Sequence, residues 1–180
     1  MKVTMNNFNI NDIKQWRDDV KAGDEILLSG IVYTARDAAH KRFMSMINED
    51  KPLPFDISGA VIYYAGPTPA RENTPIGSCG PTTSSRMDVF TPRLLNLGLA
   101  ATIGKGTRSD AVVSAMIENH ALYFCAIGGA GALAAKCVKK LDVIAFEELG
   151  CESVKRLEIV DFPLIVGIDT HGGNLFKNGG

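Results

Sequence analysis

The chain has 180 residues, 46% of them hydrophobic and 22% charged, with a formal net charge of −1 at pH 7. This length suits one domain with a substantial core, expected over residues 1–180, and the composition is ordinary for a globular protein. The near-neutral balance and the lack of a basic tract exclude a nucleic-acid or anionic-membrane binder driven by bulk charge, so a site for an anionic ligand must be built locally.

The opening MKVTMNNFNI lacks a signal-peptide core, and no apolar run reaches bilayer-spanning length, so a cytoplasmic location without membrane partners is expected. Ile10, Ile13, Trp16 and Val20 recur at helical spacing, predicting a helix over Asn11 to Val20, and a turn follows at residues 21–24. Glu25 to Tyr33 is apolar and β-branched, broken by Ser29-Gly30, which predicts a bent strand or two short ones. Asp37 to Glu49 returns to helical spacing and ends before Pro52 and Pro54. At its start Asp37 suits an N-cap, and His40 one turn later suits a hydrogen-bonded structural histidine.

Ala60 to Ala65 predicts a strand, and residues 66–78 show no periodicity and predict a loop. The remaining expectations are a helix from Met87 to Leu97, a strand over Ala100 to Ile103 and a helix over Asp110 to Asn119. A strand over Leu122 to Ile127 and a helix over Ala132 to Lys140, opened by residues 128–131, come next. Strands over Val143 to Phe146, Lys155 to Val160 and Leu164 to Ile168 finish the chain, and Asp169 to Asn174 reads as a turn. Strands and helices alternate and hairpin-like pairs stand at both ends, so the class is mixed α/β.

The chemistry concentrates in Gly80-Pro81-Thr82-Thr83-Ser84-Ser85-Arg86-Met87-Asp88. A Gly-Pro turn, four hydroxyl residues and an arginine at the start of a predicted helix supply hydroxyl and amide donors plus a guanidinium fork for a carboxylate or phosphate. The same residues also suit a plain N-cap by Ser84 or Ser85. Lys105 stands between Gly104 and Gly106, where glycines let a ligand approach backbone and ammonium together. Gly129-x-Gly131-x-x-Ala134 has the outline of a dinucleotide turn, but it comes late in the chain, and close helix–strand packing explains it more simply. Cys79, Cys125, Cys137 and Cys151 form no CxxC pair, which favours reduced core thiols over a metal or cluster motif. Cys79, beside the hydroxyl run, is the thiol to watch for reactivity.

GPTTSSRMD resembles the central motif of the β subunit, or C-terminal domain, of class I iron–sulfur fumarases and L-tartrate dehydratases. LSGIVYTARDAAHKR (Leu28 to Arg42), IGKG (Ile103 to Gly106) and VGIDTHGGNLF (Val166 to Phe176) agree in order and spacing, so the resemblance covers nearly the whole chain. It implies a swivelling β/β/α domain and a hydro-lyase subunit that hydrates fumarate reversibly to (S)-malate. Dehydration of L(+)-tartrate to oxaloacetate is one alternative, and a dicarboxylate-binding module without catalysis is another. The resemblance also implies a partner α subunit carrying a four-iron iron–sulfur cluster, an αβ heterodimer or a dimer of it, and no cluster on this chain. Carried over residue by residue, it makes Arg36, Arg86 and Lys105 the substrate-carboxylate ligands and Thr82 the residue that acts in proton abstraction, with an α-subunit carboxylate to activate it.

Overall fold

Most of the apolar runs are apolar on every residue, not on alternate ones, and strands of that kind need cover on both faces. The computed structural model describes residues 5–127 and 130–177. β1 (Asn6–Asn9) leads through a 3-10 turn into the short helix α1 (Ile13–Trp16). There follow β2 (Glu25–Thr34), α2 (Asp37–Asn48), β3 (Val61–Tyr63), a 3-10 turn at Ser84–Met87, α3 (Thr91–Asn96) and β4 (Ala101–Gly104). After these come α4 (Asp110–Glu118), β5 (Leu122–Ala126), α5 (Ala130–Cys137), β6 (Val138–Ala145), a 3-10 segment at Glu147–Glu152 and β7 (Val154–Ile168).

β2, β3, β4 and β5 lie side by side and parallel, and β7 runs antiparallel to both β5 and β2. The five strands therefore close into a small barrel. β1 pairs with the first half of β2, and β6 with the first half of β7.

Because successive residues of a strand face opposite sides, each parallel strand serves two cores. Val61, Tyr63, Ala101, Ile103, Leu122 and Phe124 point into the barrel, where Ile13 and Trp16 of α1 join them. Ile62, Tyr64 and Tyr123 point outward and are covered by Phe43 of α2, Leu94 and Leu95 of α3, and Met116 of α4. The mixed α/β class expected from the sequence is present, and the barrel covered by helices fits the β/β/α architecture that the resemblance implies.

Several local expectations need correction. The first helix is one turn of 3-10 and one of α, because the chain turns at Arg17–Asp19 to bring Val20 into the core. The N-terminal pair is parallel, so it is not a hairpin. Helical character stops at Cys137, and Val138–Lys140 already belong to β6 through pairing with β7. The two closing strands are one, Val154–Ile168, which continues past Asp161 in a left-handed conformation (φ 52). The break at Ser29-Gly30 falls inside the single strand β2, where its register with β7 shifts: Leu28 faces Phe162 and Gly30 faces Ile159, so the extra residue is on β7. Gly128 and Gly129 lie outside the described residues; at Gly131 a side chain would press on Ser78 and on the Gly80 backbone, so the close packing there is of helix against the 66–83 loop and not of helix against strand.

Candidate functional site

The C-terminal ends of parallel strands are where an α/β sheet exposes free backbone and gathers ligand groups. β2, β3 and β4 end together, and residues singled out in the sequence follow β2 (Arg36) and β4 (Lys105) directly. Arg36 follows β2 and is the N-cap residue of α2. Its guanidinium lies over Gly66, just past β3, where a side chain would meet Arg36 Nη1 at 3.1 Å. The Pro81–Ser84 segment is stitched to the same two strand ends. Pro81 bridges Ala65, the Thr82 amide donates to the Tyr64 carbonyl at 2.6 Å, and Thr83 bridges Lys105. Arg86, on the 3-10 turn, reaches Asp37 of α2 at 2.9 Å. Arg36, Thr82, Arg86 and Lys105 are thus brought to one end of the sheet.

The hydroxyl run does not begin an α-helix. Ser84–Met87 is a single 3-10 turn, Thr83 at its N-cap makes no side-chain cap, and α3 starts only at Thr91. Neither the N-cap reading nor the helix-terminus anion site applies. Ser84 is instead a buried anchor: its Oγ accepts from the Lys105 amide at 3.0 Å and from the Tyr123 hydroxyl at 2.9 Å.

The two glycines of IGKG have different causes. A methyl at Gly104 would overlap the Ser84 hydroxyl, so the space that a ligand was expected to use is taken by the anchor. Gly106 has φ +83, a left-handed conformation that turns the chain back after Lys105. Asp37 does not cap α2 with its side chain; it faces Arg86.

Sequence reasoning missed Arg108. Its side chain is fully buried, and its Nε donates to Asp88 at 2.6 Å while its other nitrogens donate to Thr91 Oγ1 at 2.8 Å, Thr102 Oγ1 at 3.0 Å and Tyr64 Oη at 3.3 Å. It also lies over the rings of Tyr64 and Tyr123. Burial disfavours its charge, but the neighbouring Tyr64 and Asp88 more than offset that, so its pKa is raised. The other Asp88 oxygen accepts from the Ser109 amide at 2.6 Å, tying the clamp turn to the start of α4. The only sequence signal was a charged pair, Asp88 and Arg108, each set beside a helix start.

His40 is structural, as expected. It is fully buried among Phe43, Tyr64 and Phe90, and burial pushes its pKa down to about 4. The neutral ring with hydrogen on Nδ1 donates to the Arg36 carbonyl at 2.7 Å. Cys79 is the reverse of reactive: buried, with desolvation raising its thiol to about 12. The Asp169–Asn174 turn is also as read, its carboxylate accepting from the amides of Ala22, His171 and Gly173.

The Fumarase C-terminus family model matches residues 1–179. The chain belongs to this family. It is 37% identical to "Putative L(+)-tartrate dehydratase subunit beta" of Methanocaldococcus jannaschii over 98% of this chain and 92% of that protein. Against fumarate hydratase 2 of Leishmania major the identity is 35% over 93% of this chain and 30% of the relative. Against the anaerobic class I fumarate hydratase of Escherichia coli it is 37% over 83% and 28% respectively. The chain therefore spans nearly the whole of the beta subunit and less than a third of the two hydratases.

In this fumarase C-terminus domain the four cysteines are free, and burial raises the pKa of Cys79, Cys125 and Cys137. Among the described residues no three of His, Cys, Asp and Glu gather as a metal site, and no helix is long and apolar enough to cross a membrane.

Proposed function

We propose that this chain is the β subunit of a two-subunit hydro-lyase that hydrates fumarate reversibly to (S)-malate. The observation that carries the reading is the convergence of Arg36, Thr82, Arg86 and Lys105 on the ends of three parallel strands. Three cations suit a dianion, and the arginine fork gives a planar two-point grip on each carboxylate. Arg36, Arg86 and Lys105 hold the substrate's carboxylates, and Thr82 acts at C3, where the proton is lost or gained. A threonine hydroxyl is a weak base unaided, so a carboxylate of the partner activates it.

The partner α subunit also carries the four-iron cluster. When bound there, it supplies a Lewis acid for the substrate's hydroxyl and one carboxylate. This chain contributes cations and a positioned hydroxyl, and excludes water once the two subunits meet. Exposure supports that division: Arg86 and Lys105 are exposed, and Arg36 and Thr82 are half-buried, so the clamp is a surface awaiting cover. The pair acts in the cytoplasm as an αβ heterodimer or a dimer of it.

A second reading, L(+)-tartrate dehydratase, is favoured by the beta-subunit relative, whose length this chain nearly matches. It keeps the same cations and reshapes the pocket around a second hydroxyl. Reconstitution with the α subunit and assay against fumarate, (S)-malate and L(+)-tartrate decides between them. Turnover of fumarate above tartrate is expected. Preference for tartrate selects the second reading, and dicarboxylate binding without turnover of either overturns both in favour of a binding module.

A further inference from the structure

Both arginines of the clamp face a carboxylate of their own chain. Arg86 Nη2 stands 2.9 Å from Asp37 Oδ2, and Arg36 Nε stands 3.8 Å from Glu152 Oε1. Neither pair is well bonded. Asp37 Oδ2, Arg36 Nε and Glu152 Oε1 are all buried atoms without an aligned hydrogen bond, three of the five such side-chain atoms among the described residues. Natural proteins leave few of these, and here they gather on one function-bearing pair of contacts.

Glu152 is held in place by other means. It rides on the 3-10 segment before β7, and the buried Lys155 ammonium secures that segment by donating to the carbonyls of Gly150, Cys151 and Ser153 and to Ser153 Oγ at 2.8–3.3 Å. Asp37 is fixed as the first residue of α2. Two acids are thus set rigidly against two guanidiniums at distances or angles that waste much of the available bonding.

We propose that Asp37 and Glu152 are exchangeable counter-ions of the clamp. They hold Arg86 and Arg36 while no ligand is bound and give way to the two carboxylates of an incoming dicarboxylate. This rests on the clamp reading above and adds its regulation. With both acids in place, three cations carry one net positive charge, so the clamp resists filling by small monoanions. A ligand with two carboxylates displaces both acids at once and gains from each exchange. Poor alignment is what makes the acids displaceable, since a bidentate, fully bonded pair would compete too strongly.

The test is an NMR titration of the full chain with fumarate, and with acetate as the monoanion, which detects weak binding directly. Asp37→Asn and Glu152→Gln should each tighten fumarate binding about two- to fivefold, and the double variant about tenfold, the range expected for freeing a partly exposed ion pair. Acetate should gain in the single variants and approach half-occupancy at lower concentration in the double variant, narrowing the preference for the dianion. Fumarate binding that is unchanged or weaker in both single variants, each still giving a folded spectrum, overturns the counter-ions. Binding lost on Arg86→Met but unmoved by Asp37→Asn overturns them while leaving the clamp intact. Binding that survives Arg86→Met and Arg36→Met together puts the anion elsewhere and overturns the clamp reading as well.

Discussion

Ser84 and Lys105 exchange two hydrogen bonds, the Ser84 amide donating to the Lys105 carbonyl at 2.9 Å and the Lys105 amide donating to Ser84 Oγ at 3.0 Å. One bond uses backbone alone and the other depends on the hydroxyl. Together they lock the turn that carries Thr82 and Arg86 to the loop that carries Lys105. Ser84→Ala leaves the Lys105 amide short of an acceptor and removes one partner of the Tyr123 hydroxyl, which keeps the Gly106 carbonyl at 2.8 Å, so a loss of about 1–3 kcal/mol is expected by denaturant titration. A reconstituted enzyme should lose kcat/KM as well, because both halves of the clamp then drift. Wild-type stability in this variant would show that the anchor is dispensable.

Gly104→Ala tests the same junction from the opposite side. Its methyl would overlap the Ser84 hydroxyl and come 3.0 Å from the Tyr64 ring, with strand backbone on either side. A destabilisation of about 1–3 kcal/mol from overpacking is expected, and pairing the change with Ser84→Gly should recover part of it. Additive losses in that double variant would remove the contact as the cause.

Arg108 is the member of the site whose loss should cost the most stability. Arg108→Met removes a buried charge while leaving Asp88, whose side chain is only 10% exposed, without its counter-ion. About 3 kcal/mol or more should be lost. Replacing both, Arg108→Met with Asp88→Asn, should cost less than Arg108→Met alone, and thermal melts of the set of three check it.

His40 makes stability depend on pH with a definite sign. Its folded pKa, about 4, lies below the ordinary histidine value, so between pH 6.5 and 4 the unfolded chain binds the proton more readily than the folded one. Its contribution is complete above about pH 6.5 and declines as pH falls toward 4, by up to about 3 kcal/mol. Melting curves of the wild type and His40→Gln at pH 7.5 and 5 should converge at the acid end. Parallel curves would mean that another group sets the acid limit.

Thr82 and Arg86 are the substitutions that separate chemistry from folding. Thr82→Ser should retain measurable turnover, and Thr82→Ala should lose most of kcat with little change in KM or melting point. Arg86→Lys should keep the fold and lose about 2–4 kcal/mol of transition-state stabilisation, because an ammonium cannot make the planar two-point contact. Near-wild-type kcat/KM in Arg86→Lys would remove it from the substrate contacts.

The strands and longer helices were legible because their patterns are local. α2 and α4 start and stop within two residues of their expected bounds, and β3 and β5 within two as well. What the sequence concealed depends on partners far along the chain. Val138–Lys140 looks helical until β7 stands beside it, and Asp161 interrupts a strand that pairing with β2 carries through. At the site, the run of hydroxyls drew attention to the right stretch for a reason the structure replaces. Ser84 is an anchor because Tyr123 and Lys105 arrive from other strands, and Arg108 has no local pattern to betray a role made of contacts with Tyr64, Asp88, Thr91 and Thr102.

The barrel is closed by its last strand. β7 zips along nearly the full length of β2, joining residues such as Glu25 and Ile165 that are far apart in the chain. During synthesis, β2 therefore waits with one edge unpaired until β7 has left the ribosome, while the parallel strands between them assemble without a lid. Contacts so distant in sequence form slowly, and an uncovered strand edge is a template for pairing with another nascent chain. A longer interval between the synthesis of β2 and that of β7 should therefore lower the yield of folded protein even where the finished barrel is stable.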